Sequence, residues 1–247
     1  AVGGPIDDGK TLKYRASLNF SNTDGFLENT YLHQKADPAR DYNARVRLIW
    51  KPNDAFSGDL RIAYDRLETR GFYFVVPRAN EANIFSIISD ANNTSTPITV
   101  NNRGEDNRDL INTSLKLDFR VDGGTLTSIT AWDKTKEIIT GDAYDFRPRA
   151  LSVDFAAQGF DENQSQFLNV KSASQELRFT SPKINGFSWI AGAYFVHTNR
   201  FISTTSMRDT GAGVFPIYYD PRTGGHNPSA TFLAARLMLE WLCETGK

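Results

Sequence analysis

Residues 111–121 place apolar side chains on alternate positions. Ile111, Thr113, Leu115, Leu117, Phe119 and Val121 form one row, and Asn112, Ser114, Lys116, Asp118 and Arg120 form the other. Successive side chains of a strand point to opposite faces, so a period of two predicts a strand with one apolar and one polar face. The string "VDGG", residues 121–124, follows, and a second run begins at Thr125, so an Asp-Gly-Gly turn joins two antiparallel strands. The apolar row has to lie against something. The two candidates are a second sheet and lipid.

Bulk properties leave both open. The chain has 247 residues, of which 23% are charged and 40% hydrophobic, as in ordinary folded proteins. A formal charge of −1 and a pI near 6.4, with no concentrated basic stripe, argue against a nucleic-acid partner. No apolar run approaches the roughly 18 residues of a membrane-spanning helix, and "AVGGPIDDGK" is not a signal peptide. A barrel strand, however, crosses in about 9–11 residues and shows every second side chain to lipid, so a mean hydropathy of −0.43 is compatible with a membrane barrel. The single Cys243 cannot form an internal disulfide.

Six further segments read as strands. Residues 11–21 alternate Leu12, Tyr14, Ala16, Leu18 and Phe20 with Lys13, Arg15, Ser17 and Asn19; residues 45–50, 59–68 and 172–181 follow the same rule. Residues 125–136 and 189–201 carry apolar side chains on both rows, and their faces are not assigned by pattern. The connections alternate without a break: long (22–42), short (51–58), long (69–106), short (121–124), long (137–171), short (182–188) and long again after Phe201. Loops beyond about 12–15 residues are uncommon in compact soluble domains. Short turns at one end and long loops at the other are what an outer-membrane barrel shows, which predicts an apolar row facing lipid and a polar row facing a wet lumen. Trp50 directly precedes one short turn and Trp189 directly follows another, so both belong at the short-turn rim, as an interfacial girdle or as simple strand-end packing.

Several strings, taken in order, resemble the barrel of TonB-dependent outer-membrane receptors: "DGFLEN" (24–29), "RVRLIWKPND" (45–54), "SLKLDFRVDGGTLTSITAWDK" (114–134), and "SQELRFTSP" followed by "FSWIAGAYF". The resemblance spans roughly residues 10–201. It implies a 22-stranded barrel closed by an N-terminal plug that carries the energy-coupling segment. The chain departs from that pattern, with about seven strands and nothing before Lys10 that reads as a plug, so it is expected to be an all-β, antiparallel, partial transmembrane β-barrel over residues 1–201. The implied function is wall and external loops of a transporter for a scarce solute such as chelated iron, a corrinoid or an oligosaccharide, in the outer membrane of a Gram-negative bacterium. Its implied partners are outer-membrane lipid, a small-molecule ligand and, only through a plug, the TonB system. Residues 202–247 are expected to be an external loop ending in a helical tail over 229–247, which is either a loop helix or a segment foreign to the family.

No covalent chemistry is legible. His33, His197 and His226 lack metal-ligand spacing, and there is no P-loop, nucleophile elbow or dinucleotide fingerprint, so no enzyme, cofactor or metal is expected. "GEDNRD" (104–109) and "DENQSQ" (161–166) gather oxygen ligands without the twelve-residue calcium-loop pattern, and solvated loop polarity is the better account of both. Asn93, Asn112 and Asn163 open N-x-S/T triplets, which carry no meaning in a bacterial host. "RGFYFVVPR" and "GDAYDFRPR" set aromatics between arginines at the start of long loops, a pattern suited to stacking on and charging against an aromatic or anionic ligand. The plainer account is a strand continuing above the membrane as its upper girdle. The candidate ligand contacts are Arg70, Phe72, Tyr73, Phe74, Arg78, Tyr144 and Arg147. Two other architectures fit parts of the pattern: a β-sandwich that binds carbohydrate, with the apolar rows packed sheet on sheet, and a complete barrel of eight strands, which needs one more strand after Phe201.

Overall fold

A computed structural model of the chain describes residues 1–71, 74, 97–143, 146–148, 150–152, 156, 159, 161–209 and 237–241. Its main feature is one antiparallel sheet in which strands pair in sequence order: β1 (Val2–Pro5), β2 (Leu12–Thr23), β5 (Ala39–Trp50), β6 (Phe56–Thr69), β7 (Glu105–Val121), β8 (Gly124–Asp142), β9 (Asp161–Thr180), β10 (Ile190–Asp209) and β11 (Leu237–Trp241). A two-residue pair, β3 (Glu28–Asn29) with β4 (Gln34–Lys35), sits in the first long loop. The seven strands expected from sequence are all present, and most run further than the pattern suggested. β9 and β10 reach 20 residues each, about twice what a bilayer crossing needs, so they stand well clear of it at one end.

The strand count and the tail correct the sequence reading. β1 and β11 were not anticipated, and residues 237–241, placed by pattern in a helix, are a strand that pairs Leu237–Trp241 with Thr204–Arg200 of β10. Five residues are too few for helical and strand periods to be told apart, and a free partner edge on β10 decides in favour of the strand. The sheet does not close, since β1 and β11 do not pair with each other.

Register now assigns every face. Opposed residues share a face, and Leu12 stands in line with Trp50, Gly58, Leu117, Ser128, Leu177 and Ala193. The next rows up hold Tyr14, Leu48, Leu60 and Leu115, then Ala16, Val46, Ile62, Thr113 and Trp132, then Leu18, Ala44, Tyr64 and Ile111. The other face holds Lys13, Arg15, Arg45, Arg47, Asp59, Arg61, Lys116 and Asp118. In β8, Trp132 lies on the apolar face, and Ile129 and Asp133 on the polar one. In β10, Phe195 lies on the first face and Tyr194 and Val196 on the second, which explains why pattern alone failed there.

The apolar face is bare. Leu18 is 84% exposed, Phe20 60%, Leu177 48% and Phe195 67%. Only five apolar side chains among the described residues are buried, namely Ala36, Ile98, Val100, Ala143 and Phe167, and all lie at the long-loop end. A sandwich needs a second large sheet against this face, and among the described residues the only other sheet is the β3–β4 pair. Aromatic rings mark the two margins of the bare zone. Below are Trp50 against Phe56 (5.2 Å), Phe56 against Phe119 (5.0 Å) and Phe179 against Trp189 (5.3 Å). Above are Phe20 against Tyr42 (5.0 Å) and Tyr64, whose hydroxyl donates to Asp109 at 2.9 Å. Phe56 to Tyr64 is about 27 Å of strand, or about 21 Å of height at a tilt near 40°, and the rings themselves extend it toward the ~25 Å of an outer-membrane apolar band.

Two edges carry unpaired backbone, because β1 covers only Lys13–Ala16 of β2 and β11 only five residues of β10. Each unsatisfied group in hydrocarbon costs several kcal/mol, so the chain by itself is expected to pair edge to edge with other copies and not to form a stable pore. Reconstituted into lipid vesicles, it should give no discrete, reproducible single-channel conductance. Uniform channels from a monomer would show that the edges close.

Candidate functional site

Two places on the sheet gather chemistry. The first is the concave polar face of β2, β5, β6 and β7, where period-two alternation stacks Arg15, Arg45, Arg47 and Arg61 around an open concavity of about 660 Å³, with Ser17, Asn112, Ser114 and Asp133 also in its lining. Asp59 holds two of these cations: Arg47 grips it with two bonds of 2.9 and 2.7 Å, and Arg61 Nη2 reaches it at 2.8 Å. Asp133 accepts from Asn112 Nδ2 at 2.7 Å. Arg15 and Arg45 have no ion pair among the described residues, so the concavity presents guanidinium groups free to take an anion or an acidic surface. Lower on this face Lys116 and Asp118 pair at 2.8 Å, and Thr127 donates to Asp118 at 2.7 Å, as the alternation around Leu117 requires.

The second place is the long-loop end, where the loops pack on one another. Asn29, 2% exposed, donates to the Val100 carbonyl at 2.7 Å and accepts from the Tyr31 and Leu32 amides at 3.0 Å each. Thr30 N–H donates to the Ile98 carbonyl, and Asp37 accepts from the Phe26 and Leu27 amides, so "DGFLEN" is the part of the first loop that docks on the second. Ala36, Ile98 and Val100 form a small core, against which Phe146 packs. Glycine is needed where the second loop returns to the sheet: a Cβ on Gly71 or Gly104 would collide with the Thr140 carbonyl oxygen, and Gly104 also has φ of +55°.

The sequence-predicted contacts separate here. Phe74 meets Phe146 edge to face at 5.2 Å, so the two aromatic-arginine strings do come together, through one ring from each. Arg70 lines a groove with Asp24, Arg40, Glu68 and Glu105, and burial together with the neighbouring Arg103 lowers its pKa from the usual arginine value. Arg147 is half-buried beside Phe146 in the chain. Phe72, Tyr73, Arg78 and Tyr144 lie outside the described residues.

The same end holds a group that sequence reading missed. Asp142, Asp161 and Asp209 are 0%, 0% and 3% exposed, and each offers a carboxylate oxygen within 4.8 Å of the others. Asp161 and Asp209 face each other across β9 and β10, and Asp142 closes the triangle from the end of β8. This is well above the bare zone, since Asp142 lies eight residues beyond Lys134, the partner of Ile111. Burial first, and then the charge of Asp161, pushes the Asp142 carboxyl up to about 8. Asp161 opens "DENQSQ", so that stretch is not solvated polarity. No residue of "GEDNRD" joins the cluster. The other two acids come from positions 19 and 48 residues away in the chain, which spacing rules do not connect.

No family model matches the chain, and no curated protein matches it. Three solved structures do match in fold. The FpvAI–pyocin S2 complex aligns with a TM-score of 0.59 and 11% identity over 83% of this chain and 26% of that one. FpvA of Pseudomonas aeruginosa bound to heterologous pyoverdines gives a TM-score of 0.59, with 11% identity over 84% of this chain and 26% of that one. The ferripyoverdine receptor of the outer membrane of the same organism, bound to ferripyoverdine, gives 0.56, with 12% identity over 83% and 26%. The chain has the fold of part of an outer-membrane receptor. It spans about a quarter of those receptors' length, and at this identity the likeness is one of fold.

The docking of the first loop on the second rests on one buried side chain. Asn29→Ala should lose the bonds to Val100, Tyr31 and Leu32 and leave buried partners unpaired, at a cost of about 1–3 kcal/mol in local opening. Hydrogen exchange at the Tyr31 and Leu32 amides should accelerate by roughly 5–150-fold while the β7 amides keep their rates. Equal rates in mutant and wild type would mean that the loops are held elsewhere.

Proposed function

We propose that this chain is a wall segment of a TonB-dependent outer-membrane receptor, and that its long loops face the cell exterior and contribute to capture of a scarce solute. The carrying observation is the apolar face left bare between two aromatic margins, in a sheet whose short connections (6–11, 51–55, 122–123, 181–189) all lie at one end and whose long ones all lie at the other. Lipid is the solvent such a face fits, and a barrel is the architecture in which a sheet spans it. A chelated iron compound is the favoured solute, because the receptors of like fold include ferripyoverdine and pyoverdine complexes. A corrinoid or an oligosaccharide is the next choice.

In this reading the protein makes and breaks no covalent bond. Phe74 offers a ring for stacking, Arg70 and Arg147 offer charge at the loop end, and Arg15 and Arg45 offer unpaired guanidinium groups on the lumen side. Phe72, Tyr73, Arg78 and Tyr144 remain ligand-contact candidates from sequence. Energy for import would come through TonB acting on a plug, and the partners of this segment are lipid, the solute and that plug.

Cysteine placed singly at 117 and at 116, with native cysteine removed and a fluorophore attached, tests the facing. A lipid-borne quencher should dim the probe at 117, and a water-soluble quencher the probe at 116. Leu117→Arg should cost about 2–4 kcal/mol if that position lies near the bilayer midplane, and Lys116→Arg little. Lack of lipid quenching at 117 would overturn the membrane assignment, because a sandwich core would also punish the arginine.

A further inference from the structure

We propose that Asp142, Asp161 and Asp209, with Asn101, form a calcium site that ties together the loop-end tips of β8, β9 and β10 and the returning second loop. This goes beyond the transport reading and does not depend on what covers the apolar face.

Three buried carboxylates at this spacing repel one another strongly in a site away from water, and like charges directly opposed across a strand pair are destabilising in their own right. The cluster therefore needs protons or a cation. Asp142 shows which is built for. Its carboxylate takes N–H bonds from Ala143 (3.0 Å) and from the backbone of Asn101, while Oδ2 is buried with no hydrogen-bond partner. Retained protons would give the carboxyls donors with which to satisfy one another, whereas an unpartnered acceptor facing two other carboxylates is the geometry of a missing positive centre. A second, separate residue points the same way. Asn101, 3% exposed, bridges the cluster by donating Nδ2 to Asp209 Oδ2 at 2.6 Å, and its own Oδ1 is also buried and unpartnered. Behind it, Asn102 donates to Asn163 Oδ1 at 2.9 Å, and Asn163 is the cross-strand partner of Asp142, so a shell of amides fixes the ligands' orientation.

The donor set names the ion. All the ligands are oxygen, three of them anionic, which excludes the sulfur- and imidazole-seeking metals. Magnesium keeps several of its waters and demands near-octahedral geometry, and a cluster with 0–3% exposure leaves little room for them. Calcium accepts six to eight oxygens at about 2.3–2.6 Å in flexible geometry, with carboxylates binding through one or both oxygens. The consequence is mechanical: one ion would join segments near residues 101, 142, 161 and 209, and would hold the loop base against the sheet where Gly71 and Gly104 already press on Thr140.

Equilibrium dialysis of the full chain in detergent micelles against calcium-45 should find one ion per chain with a Kd of ~10⁻⁴–10⁻³ M, the range of extracellular modules. Asp142→Asn and Asp161→Asn should each weaken binding at least ~10-fold, while Asp54→Asn, in an exposed turn at the opposite end, should bind as the wild type does. Hydrogen exchange on the same samples separates a lost site from a lost fold. Calcium should slow the amides of residues 101–104 and 143 in the wild type and not in the two cluster variants, with β7 amides protected in all of them. If the wild type with protected β7 amides binds no calcium, or the cluster variants bind it normally, the site is not there. If calcium is absent and Asp142→Asn raises stability, the cluster is a proton-sharing triad. Displacement of calcium by magnesium at equal concentration would overturn the choice of ion.

Discussion

The structure depends on an unbalanced sheet. Nine strands satisfy their backbone groups against one another in sequence order, yet one face of that sheet keeps its leucines and aromatics open over its middle third. In water such a face would be covered by a helix, a second sheet or another copy of the chain, since exposed apolar patches beyond a few hundred Å² are rare on soluble monomers. The usual stabilising term, side chains buried against side chains, is nearly absent, with only five buried apolar residues. What remains is the ladder, cross-strand pairs such as Arg47 with Asp59, and whatever the bare face meets.

Above the aromatic margin the same face is treated differently. Along β9, Asp161, Asn163, Ser165 and Phe167 are buried in alternation with half-exposed neighbours, because the returning second loop lies over them. Protein covers the face there, and the side chains turn polar. The change from Leu177 and Gln175 lower on β9 to Asn163 and Asp161 at its tip marks, within one strand, where the surroundings change from apolar to protein and water. A strand in a sandwich core has no reason to make that change part-way along.

The backbone arrangement was largely legible in the sequence because its signals are local. Alternation in 11–21 and 111–121 fixes strand and face, and the length of each connection fixes which end it belongs to. Where both rows are apolar, as in Tyr194, Phe195 and Val196, the period carries no direction, and only pairing with β9 resolves it. The strand at 237–241 was missed because its conformation is set by a free edge some forty residues earlier in the chain, which no window sees. The candidate sites were less legible for the same reason. Phe74 was singled out for its neighbours in the string, but its partner Phe146 comes from another loop, and the aspartate triangle draws on three strand ends. Composition names which residue types are available; tertiary register decides which of them meet.

That register gives the two chemical centres different relations to the sheet. The lumen-side arginines are fixed by alternation alone, so any strand that keeps its period keeps them in place, and Asp59 sets how many stay free by holding Arg47 and Arg61. The loop-end cluster has no such protection. It depends on the end of β8 reaching Asp142, on Asp161 being opposed to Asp209, and on Asn101 arriving from a loop held by Asn29 and by two glycines. A slip of one residue in β9 against β10 would turn Asp161 to the other face and dissolve the triangle, yet would leave the arginine concavity on β2, β5 and β6 untouched. A cation bridging the four segments would penalise that slip directly, fixing the register of the longest strands at their free ends, where neither an apolar band nor a short turn does so.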